Sequence, residues 1–246
     1  MKRIMLIVAY DGTNYHGWQM QPNAVTIEQV LNEALSNLLS EDIEVIGASR
    51  TDAGVHAEGN VAVFDTETRI PPEKISFALN RILPDDIVIQ ESFEVEPDFH
   101  PRKCDSIKTY EYRILNRNFN LPVKGRNSYH FHRKLDIDKM REGAAYFVGR
   151  HDFRNFCSSH TQAKSTVRII YSFDIDEDGD EIVLTVSGNG FLYNMVRMLT
   201  GTLLDVGTGK MAPEKIPELL AAGKRVHSPN TAPAKGLTLV GIEYLE

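Results

Sequence analysis

The sequence predicts an α+β protein with two similar lobes, whose mainly antiparallel sheets join into one and carry the helices on one side. Segments of alternating apolar residues, typical of strands, are interspersed with segments of helical spacing. This order of elements occurs twice in 246 residues, and no proline-rich or serine-rich linker divides the two copies. We therefore expect a cleft between lobes that span residues 1–103 and 104–246.

The first lobe is predicted to open with a strand, RIMLIVAYD, followed by a long loop rich in Gly, Asn and Gln. A helix follows, because apolar residues recur at helical spacing after Thr26, and Thr26 with Gln29 forms a capping-box pattern. The remaining elements are strands at IEVIGA, GNVAVFDTE and DIVIQESFEV, and a helix at PPEKISFALNRIL, whose prolines suit a helix start.

The second lobe repeats this order. Strands are predicted at SIKTYEYRILN, TVRIIYSFDID, DEIVLTVSGNG and GLTLVGIEYLE, and helices at DIDKMREGAAYFVG, FLYNMVRMLTGTLLDVG and APEKIPELLAAG. The acidic segment EDGD joins two of the strands and is typical of a hairpin turn.

Composition places the chain among ordinary globular proteins, with 42% hydrophobic and 25% charged residues. No apolar run approaches the roughly 20 residues of a membrane helix, and the basic, apolar start is interpreted as a strand rather than a signal peptide. Cys104 and Cys157 form no C-x-x-C pair, so reduced thiols in a cytoplasmic protein are expected.

The sequence carries no dinucleotide fingerprint, and no cofactor is predicted.

Charge is distributed unevenly along the chain. The net charge is −7, yet residues 100–170 carry fifteen Lys and Arg against six Asp and Glu, a local +9 that leaves −16 for the rest. Such an asymmetry is typical of a protein that binds a polyanion, although charge also segregates without a function.

Two segments resemble metal sites but fit them poorly. Asp174, Asp176 and Asp178 have the spacing of a calcium loop, but Thr185 stands where a bidentate glutamate is needed and the flanks are strands. His130 and His132 lack further ligands nearby, and we interpret them as a surface pair that contacts phosphate. No metal site is predicted.

The segment ASRTDAGVHA, residues 48–57, is a candidate active-site loop. It places Arg50 and Asp52 among residues too small to fill a core, between two predicted strands. Loops held at the end of a rigid sheet are frequent positions of catalytic residues.

Two positions in the second lobe support this interpretation. Tyr110 lies on a strand with Lys108 nearby, an arrangement that suits stacking on a nucleobase. Arg197 lies in an apolar helix and needs a partner, because an unpaired buried charge is very costly. Asp52 is a candidate for that partner, in competition with other carboxylates.

Five segments together resemble the tRNA pseudouridine synthase A family, in the family's order and from Tyr10 to Leu239: YDGTNYHGWQMQP, ASRTDAGVHA, KTYEYRI, GNGFLYNMVRMLTGTLLDVG and APAKGLTL. RTDAGVHA is the most specific of them. Ser49 departs from the Gly of many members, a change between two small residues.

The resemblance implies a role for each matching residue. Asp52 matches the essential aspartate, Tyr110 the tyrosine against the target uracil, and Arg197 the basic residue paired with the aspartate. Arg50 matches an arginine that helps to hold the nucleotide out of its stack. The resemblance further implies two pseudo-symmetric RRM-like lobes, a homodimer without cofactor or metal, and pseudouridine formation in the anticodon arm of tRNA at positions 38, 39 and 40.

Two other classes remain open from the residues alone. A non-catalytic RNA-binding protein would explain the basic region but not a carboxylate such as Asp52 inside an RNA site. An aspartate-dependent glycosidase or nuclease normally needs a second carboxylate or a metal cluster, and only Glu58 lies near Asp52 in the sequence.

Overall fold

The computed structural model describes residues 1–159 and 163–245, which form two compact units. One consists of Met1–Ser106 with Leu239–Glu246, and the other of Ile107–Thr238. The sequence prediction placed the lobe boundary after Lys103 and left the C-terminal strand with the second lobe, whereas most of that strand belongs to the first unit.

Ten strands and five helices occur in the described part of the chain. The strands are β1 (Lys2–Tyr10), β2 (Ile46–Gly47), β3 (His56–Thr66), β4 (Ile87–Val95), β5 (Ser106–Leu115), β6 (Tyr129–His130), β7 (Gly149–Asp152), β8 (Val167–Asp178), β9 (Glu181–Gly188) and β10 (Leu237–Tyr244). The helices are α1 (Ile27–Leu39), α2 (Pro72–Leu79), α3 (Ile137–Ala145), α4 (Met195–Gly207) and α5 (Lys215–Ala221). The predicted α+β class is confirmed.

In the first unit the strands lie in the order β4, β1, β3, β10, with β2 paired to β3. β1 is antiparallel to both of its neighbours. Helix α2 packs on β4 and contacts α1. The β1–β3 register breaks between Val8, which pairs with Asn60, and Tyr10, which pairs with Ala57. A bulge of this kind re-aims the side chains beside it, and it lies next to the loop that carries Asp52.

Helix α1 shows how local chemistry modifies the predicted elements. Thr26 caps it as expected, since its Oγ1 accepts from Gln29 N at 3.3 Å. The Gln29 side chain donates from Nε2 to Glu33 Oε1 at 2.9 Å, one turn further along the helix.

The strand predicted at IEVIGA is much shorter than expected, because β2 contains only Ile46 and Gly47. The main-chain N–H of Ile43 donates to Ser36 Oγ at 3.0 Å, and that of Val45 donates to Asn32 Oδ1 at 2.8 Å. Side chains of α1 thus accept the bonds that a sheet partner would otherwise accept.

In the second unit the strands lie in the order β5, β9, β8, β7, and β6 runs parallel to β5. The β8–β9 hairpin confirms the predicted acidic turn. Helix α3 packs against α4 and β8. The helix predicted from Phe191 begins only at Met195, because Asn194 adopts the left-handed conformation with φ 61°.

Within residues 1–159 and 163–245, no helix combines the length and apolar character needed to cross a membrane.

Candidate active site

The loop between β2 and β3 fixes Asp52 at the end of the first unit's sheet. Its flanks are buried: Ala48 is 3% exposed, Thr51 8% and Val55 1%. Arg50 is exposed and Asp52 is half-buried. The loop therefore presents the guanidinium of Arg50 and the carboxylate of Asp52 from a segment whose Ala48, Thr51 and Val55 are buried.

A neighbouring segment, residues 12–18, holds the backbone of this loop. Trp18 N donates to the carbonyl oxygen of Thr51 at 3.1 Å, and Gly54 N donates to that of Tyr15 at 3.2 Å. Val55 N closes a turn on the carbonyl oxygen of Asp52 at 3.1 Å. Bonds on both sides of Asp52 thus fix its main chain.

Gly17 makes this close approach possible. Its φ is +87°, and a Cβ on it would lie 2.5 Å from the carbonyl oxygen of Thr51. Both the backbone conformation and the lack of space select glycine at this position.

A buried polar cluster lies under the loop. The hydroxyl groups of Tyr10 and Thr51 are 2.7 Å apart. Asn60, which is fully buried, donates from Nδ2 to the carbonyl oxygen of Ser49 at 3.0 Å and to the Tyr10 hydroxyl at 3.3 Å. The cluster joins strands β1 and β3 to the residues on each side of Arg50.

His56 begins β3 and is 6% exposed. Its Nδ1 lies 3.1 Å from both Gly12 N and the Asp11 carboxylate. Its Nε2 and the Trp18 Nε1 are buried without a hydrogen-bond partner in the part of the chain that is described. The imidazole thus ties the start of β3 to the end of β1.

In the second unit, Tyr110 lies on β5 opposite Val186 of β9. It is only 7% exposed, and its ring meets Phe191 edge-on with centroids 5.2 Å apart. Phe191 therefore helps to fix the ring of Tyr110 within this unit.

Arg197 lies half-buried in the first turns of α4. Its Nε donates to the carbonyl oxygen of Ala232 at 2.8 Å, and its Nη1 donates to Asn194 Oδ1 at 2.9 Å. The main chain of Ala232 donates back to the carbonyl oxygen of Arg197 at 3.1 Å. Arg197 is thus oriented by neutral oxygens within its own unit.

Tyr112, two residues after Tyr110, has a structural role. It is fully buried and donates from its hydroxyl to the carbonyl oxygen of Pro233 at 2.7 Å. Burial raises the pKa of Tyr112 above its ordinary value, while the positive charge of Arg197 acts in the opposite direction. The phenol therefore stays neutral near the arginine.

The segments that resemble metal sites have other structural roles. Asp174, Asp176 and Asp178 lie along β8. The imidazole of His130 forms a hydrogen bond of 2.8 Å with the carbonyl oxygen of Arg117. Among the described residues, no group of three or more His, Cys, Asp and Glu side chains is placed to hold a metal ion.

The structure thus brings Arg50 and Asp52 together in one loop and fixes Tyr110 and Arg197 in the other unit. Sequence reasoning missed the residues that support the loop, chiefly Thr51 and Asn60. One signal was present, since Asn60 is the single polar residue in the otherwise apolar run from Gly59 to Phe64.

Comparison with known proteins shows the class of this chain. A family model described as tRNA pseudouridine synthase matches residues 6–102 and 144–245. The chain belongs to the tRNA pseudouridine synthase family. The predicted enzyme class, an isomerase, is therefore confirmed, since a pseudouridine synthase converts uridine to its carbon-linked isomer.

Similar curated proteins carry the name tRNA pseudouridine synthase A. Those of Acetivibrio thermocellus and Ruminiclostridium cellulolyticum are 47% and 48% identical, over 99% of this chain and 100% of each relative. The protein of Brevibacillus brevis is 46% identical over the same shares. Among solved structures, a chain of the archaeal box H/ACA sRNP Nop10–Cbf5 complex is 12% identical. The match covers 94% of the present chain and 47% of the chain in that complex. Its TM-score of 0.35 is too low to carry a conclusion.

Proposed function

We propose that this chain isomerises uridine to pseudouridine at positions 38, 39 and 40 in the anticodon arm of tRNA, with Asp52 as nucleophile or base. Family membership supports the reaction and the tRNA substrate. The observation that supports the residue is the half-buried Asp52 carboxylate, presented by a loop whose main chain is bonded on both sides.

The reaction rearranges bonds without a redox change. The bond from uracil N1 to ribose C1′ breaks, a bond from C5 to C1′ forms, C5 loses its proton and N1 gains one. A carboxylate can serve such a reaction as nucleophile or as base, provided that it is ionised. The chemistry requires neither a hydride carrier nor a metal, and we propose that the enzyme uses no cofactor.

The two arginines act on the base and on the carboxylate. The target base must first leave its stack, which costs a few kcal/mol. We assign Arg50, which is exposed two residues before Asp52, to hold the extruded nucleotide by its phosphate. We assign Arg197 as the cation that keeps Asp52 ionised, since a nearby positive charge favours the carboxylate form.

Tyr110 is assigned to the target uracil. A flat aromatic face holds a base while leaving it free to rotate in its own plane, which the freed uracil must do. The edge contact with Phe191 limits the movement of the ring. Tyr110 therefore acts as a fixed surface for the uracil.

The basic side chains of residues 100–170, with Arg50, are proposed as the tRNA-docking surface of a cytoplasmic homodimer. Some of these basic side chains already have acidic partners among the described residues, since Arg117 pairs with Asp180 and Lys124 with Glu181. These two are therefore weaker candidates for phosphate contacts. Arg133 and Lys134 are both exposed. They are the stronger candidates for phosphate contacts.

The test uses tRNA tritiated at uracil C5, since isomerisation releases that hydrogen. Asp52→Asn keeps the size of the side chain and removes its charge. It is expected to abolish tritium release while tRNA binding survives, because many phosphate contacts carry binding. The matched control is Glu58→Gln, which removes the exposed carboxylate nearest in sequence and is expected to leave the rate unchanged.

Three outcomes would change the proposal. An Asp52→Asn enzyme within about tenfold of the parent rate would remove the catalytic assignment, since loss of a nucleophile or base costs far more. Equal loss in Glu58→Gln would favour chemistry with two carboxylates. Binding without any tritium release by the parent protein would favour a non-catalytic RNA-binding protein.

A further inference from the structure

We propose that Thr51 is a positioning residue for the reaction, and that its hydroxyl, which bonds the Tyr10 hydroxyl and through it Asn60, sets the position of the Asp52 carboxylate. This inference rests on the proposed function of Asp52. It assigns a role to the buried polar cluster, whose members lie beneath the loop.

The cluster is almost closed to water. Tyr10 is 5% exposed, Thr51 8%, Ser49 7% and Asn60 0%. Buried polar atoms in such a place must satisfy one another, which gives the cluster one favoured arrangement. All four residues belong to the first unit, so the cluster forms within one compact body.

Donors and acceptors match around Asn60. Its Oδ1 accepts from Val61 N at 2.9 Å, which fixes the orientation of the amide. The two protons on Nδ2 then go to the carbonyl oxygen of Ser49 and to the Tyr10 hydroxyl. The Tyr10 oxygen thus accepts from Asn60 and also lies 2.7 Å from Thr51 Oγ1, where either hydroxyl can be the donor.

The cluster fixes the loop on both sides of Arg50. It binds the carbonyl oxygen of Ser49 from one side and the side chain of Thr51 from the other. The main chain of Thr51 also accepts a bond from Trp18 N at 3.1 Å. Thr51 is therefore held by both its side chain and its backbone, one residue before the carboxylate.

Catalysis is more sensitive to this geometry than folding is. A displacement of about 1 Å in a reacting group can cost about 100-fold in rate. A catalytic side chain keeps its place only when the residues that support it are themselves fixed. Loss of one hydroxyl under the loop is therefore expected to reduce turnover much more than it reduces stability or binding.

The experiment compares Thr51→Val, which keeps the shape and removes the hydroxyl, with Thr51→Ser, which keeps the hydroxyl. We expect the single-turnover rate at saturating enzyme to fall about 10- to 100-fold in Thr51→Val. We expect Thr51→Ser to remain within about threefold of the parent, and the dissociation constant for tRNA to change less than about twofold in both.

The matched control is Thr66→Val at the opposite end of β3. Thr66 is 1% exposed, and its hydroxyl donates to Glu41 at 2.9 Å. The same substitution there is expected to lower the melting temperature and leave the single-turnover rate of the folded enzyme unchanged. This control therefore distinguishes the general effect of losing a buried hydroxyl, which lowers stability, from the specific effect of misplacing Asp52, which lowers the rate.

Tyr10→Phe removes the same hydrogen bond from its other side. If the hydrogen bond between Tyr10 and Thr51 positions Asp52, its loss from either side has the same effect. The double variant, Tyr10→Phe with Thr51→Val, is then expected to be no slower than the slower single variant. Rate losses that multiply in the double variant would show that the two hydroxyl groups act separately, which would overturn the proposal.

The proposal also fails if Thr51→Val turns over at the parent rate, or if Thr51→Ser is as slow as Thr51→Val. These outcomes are distinct from failure of the proposed function. An inactive Asp52→Asn enzyme with a fully active Thr51→Val enzyme overturns only the positioning role, whereas an active Asp52→Asn enzyme removes the catalytic assignment on which it rests.

Discussion

Gly12 lies directly against the carbonyl group of Val55. A Cβ on Gly12 would be 2.0 Å from the Val55 oxygen and 2.6 Å from its carbonyl carbon. The main-chain N–H of Gly12 also donates to His56 Nδ1 at 3.1 Å. The segment after β1 and the segment that carries Asp52 therefore meet backbone to backbone, with no room for a methyl group.

Gly12→Ala is expected to displace the Asp52 loop. Forcing a methyl group into this contact is expected to cost about 1–3 kcal/mol of stability, because backbone cannot rotate away as a side chain can. Turnover of the folded enzyme should fall at least tenfold, as expected for a misplaced catalytic group. Thermal melting and tritium release measure the two effects.

The control for Gly12→Ala is Gly241→Ala on β10, where an added Cβ would have no described atom within 4 Å apart from its chain neighbours. We expect Gly241→Ala to change the melting temperature and the rate of tritium release little. A Gly12→Ala enzyme with the parent rate and melting temperature would show that the two segments separate easily.

Tyr110→Phe is expected to bind the target base better than Tyr110→Ala does. Stacking belongs to the ring and contributes about 1–3 kcal/mol per base. Because Tyr110 is 7% exposed and packs on Phe191, the Ala variant also creates a cavity, and binding must be compared at equal folded fraction. Equal weakening of tRNA binding in both variants would exclude stacking as its role.

Reversing Arg133 and Lys134 to Glu is expected to weaken tRNA binding broadly and to flatten its dependence on salt. Each lost phosphate contact lowers the slope of log K against log salt by about one. The matched control reverses Lys224 and Arg225, an adjacent and exposed basic pair outside residues 100–170, and is expected to weaken binding less.

The outcome of this comparison tests the docking surface as a whole. Affinity that does not depend on salt, or that falls most in the control, would show that charge close in sequence does not form one binding surface. Residues 160–162, within the same region, lie outside the described part of the chain.

Acid is expected to remove the contribution of the pair between Arg3 and Asp65. Arg3 donates to both oxygens of Asp65, at 2.8 and 2.6 Å, and these bonds hold the pKa of Asp65 below its ordinary value of 3.8. A carboxyl whose folded-state pKa is depressed stabilises the protein above its unfolded pKa and stops doing so as pH falls through the folded one.

Asp65→Asn should therefore cost about 1 kcal/mol at pH 7, a modest value because Asp65 is partly exposed, and progressively less below about pH 4. Thermal unfolding between pH 7 and pH 2.5 measures the difference, with Asp178→Asn at the exposed hairpin turn as control. A cost that is the same at both ends of this range would mean that charge does not carry the stabilisation.

The sequence predicted elements whose periodicity is strong and failed where single side chains intervene. Helix α1 follows from its apolar spacing, whereas β2 is short because Asn32 and Ser36 bind the main chain that precedes it. The late start of α4 depends on the left-handed Asn194. These features depend on single side chain–backbone hydrogen bonds and on the conformation of one residue, which the periodicity of apolar residues does not contain.

In the candidate site too, the sequence identifies the residues that carry the chemistry but not the residues that support them. Asp52 and Arg50 were found through the chemistry of their own segment. The support from Tyr10 and Asn60 depends on a register break in β1, which brings three sequence regions together. A hydroxyl acquires its role there only after the sheet has formed.

The buried cluster has a consequence for how the enzyme loses activity on warming. Strands β1 and β3 are joined by a long backbone ladder, whereas the hydrogen bonds of the Asp52 loop to Tyr10, Asn60 and residues 12–18 join it singly to separate segments. Local opening of the loop therefore requires less free energy than unfolding of the sheet. Reversible inactivation at temperatures where circular dichroism still reports an intact fold is the behaviour to expect of this enzyme in storage and in use.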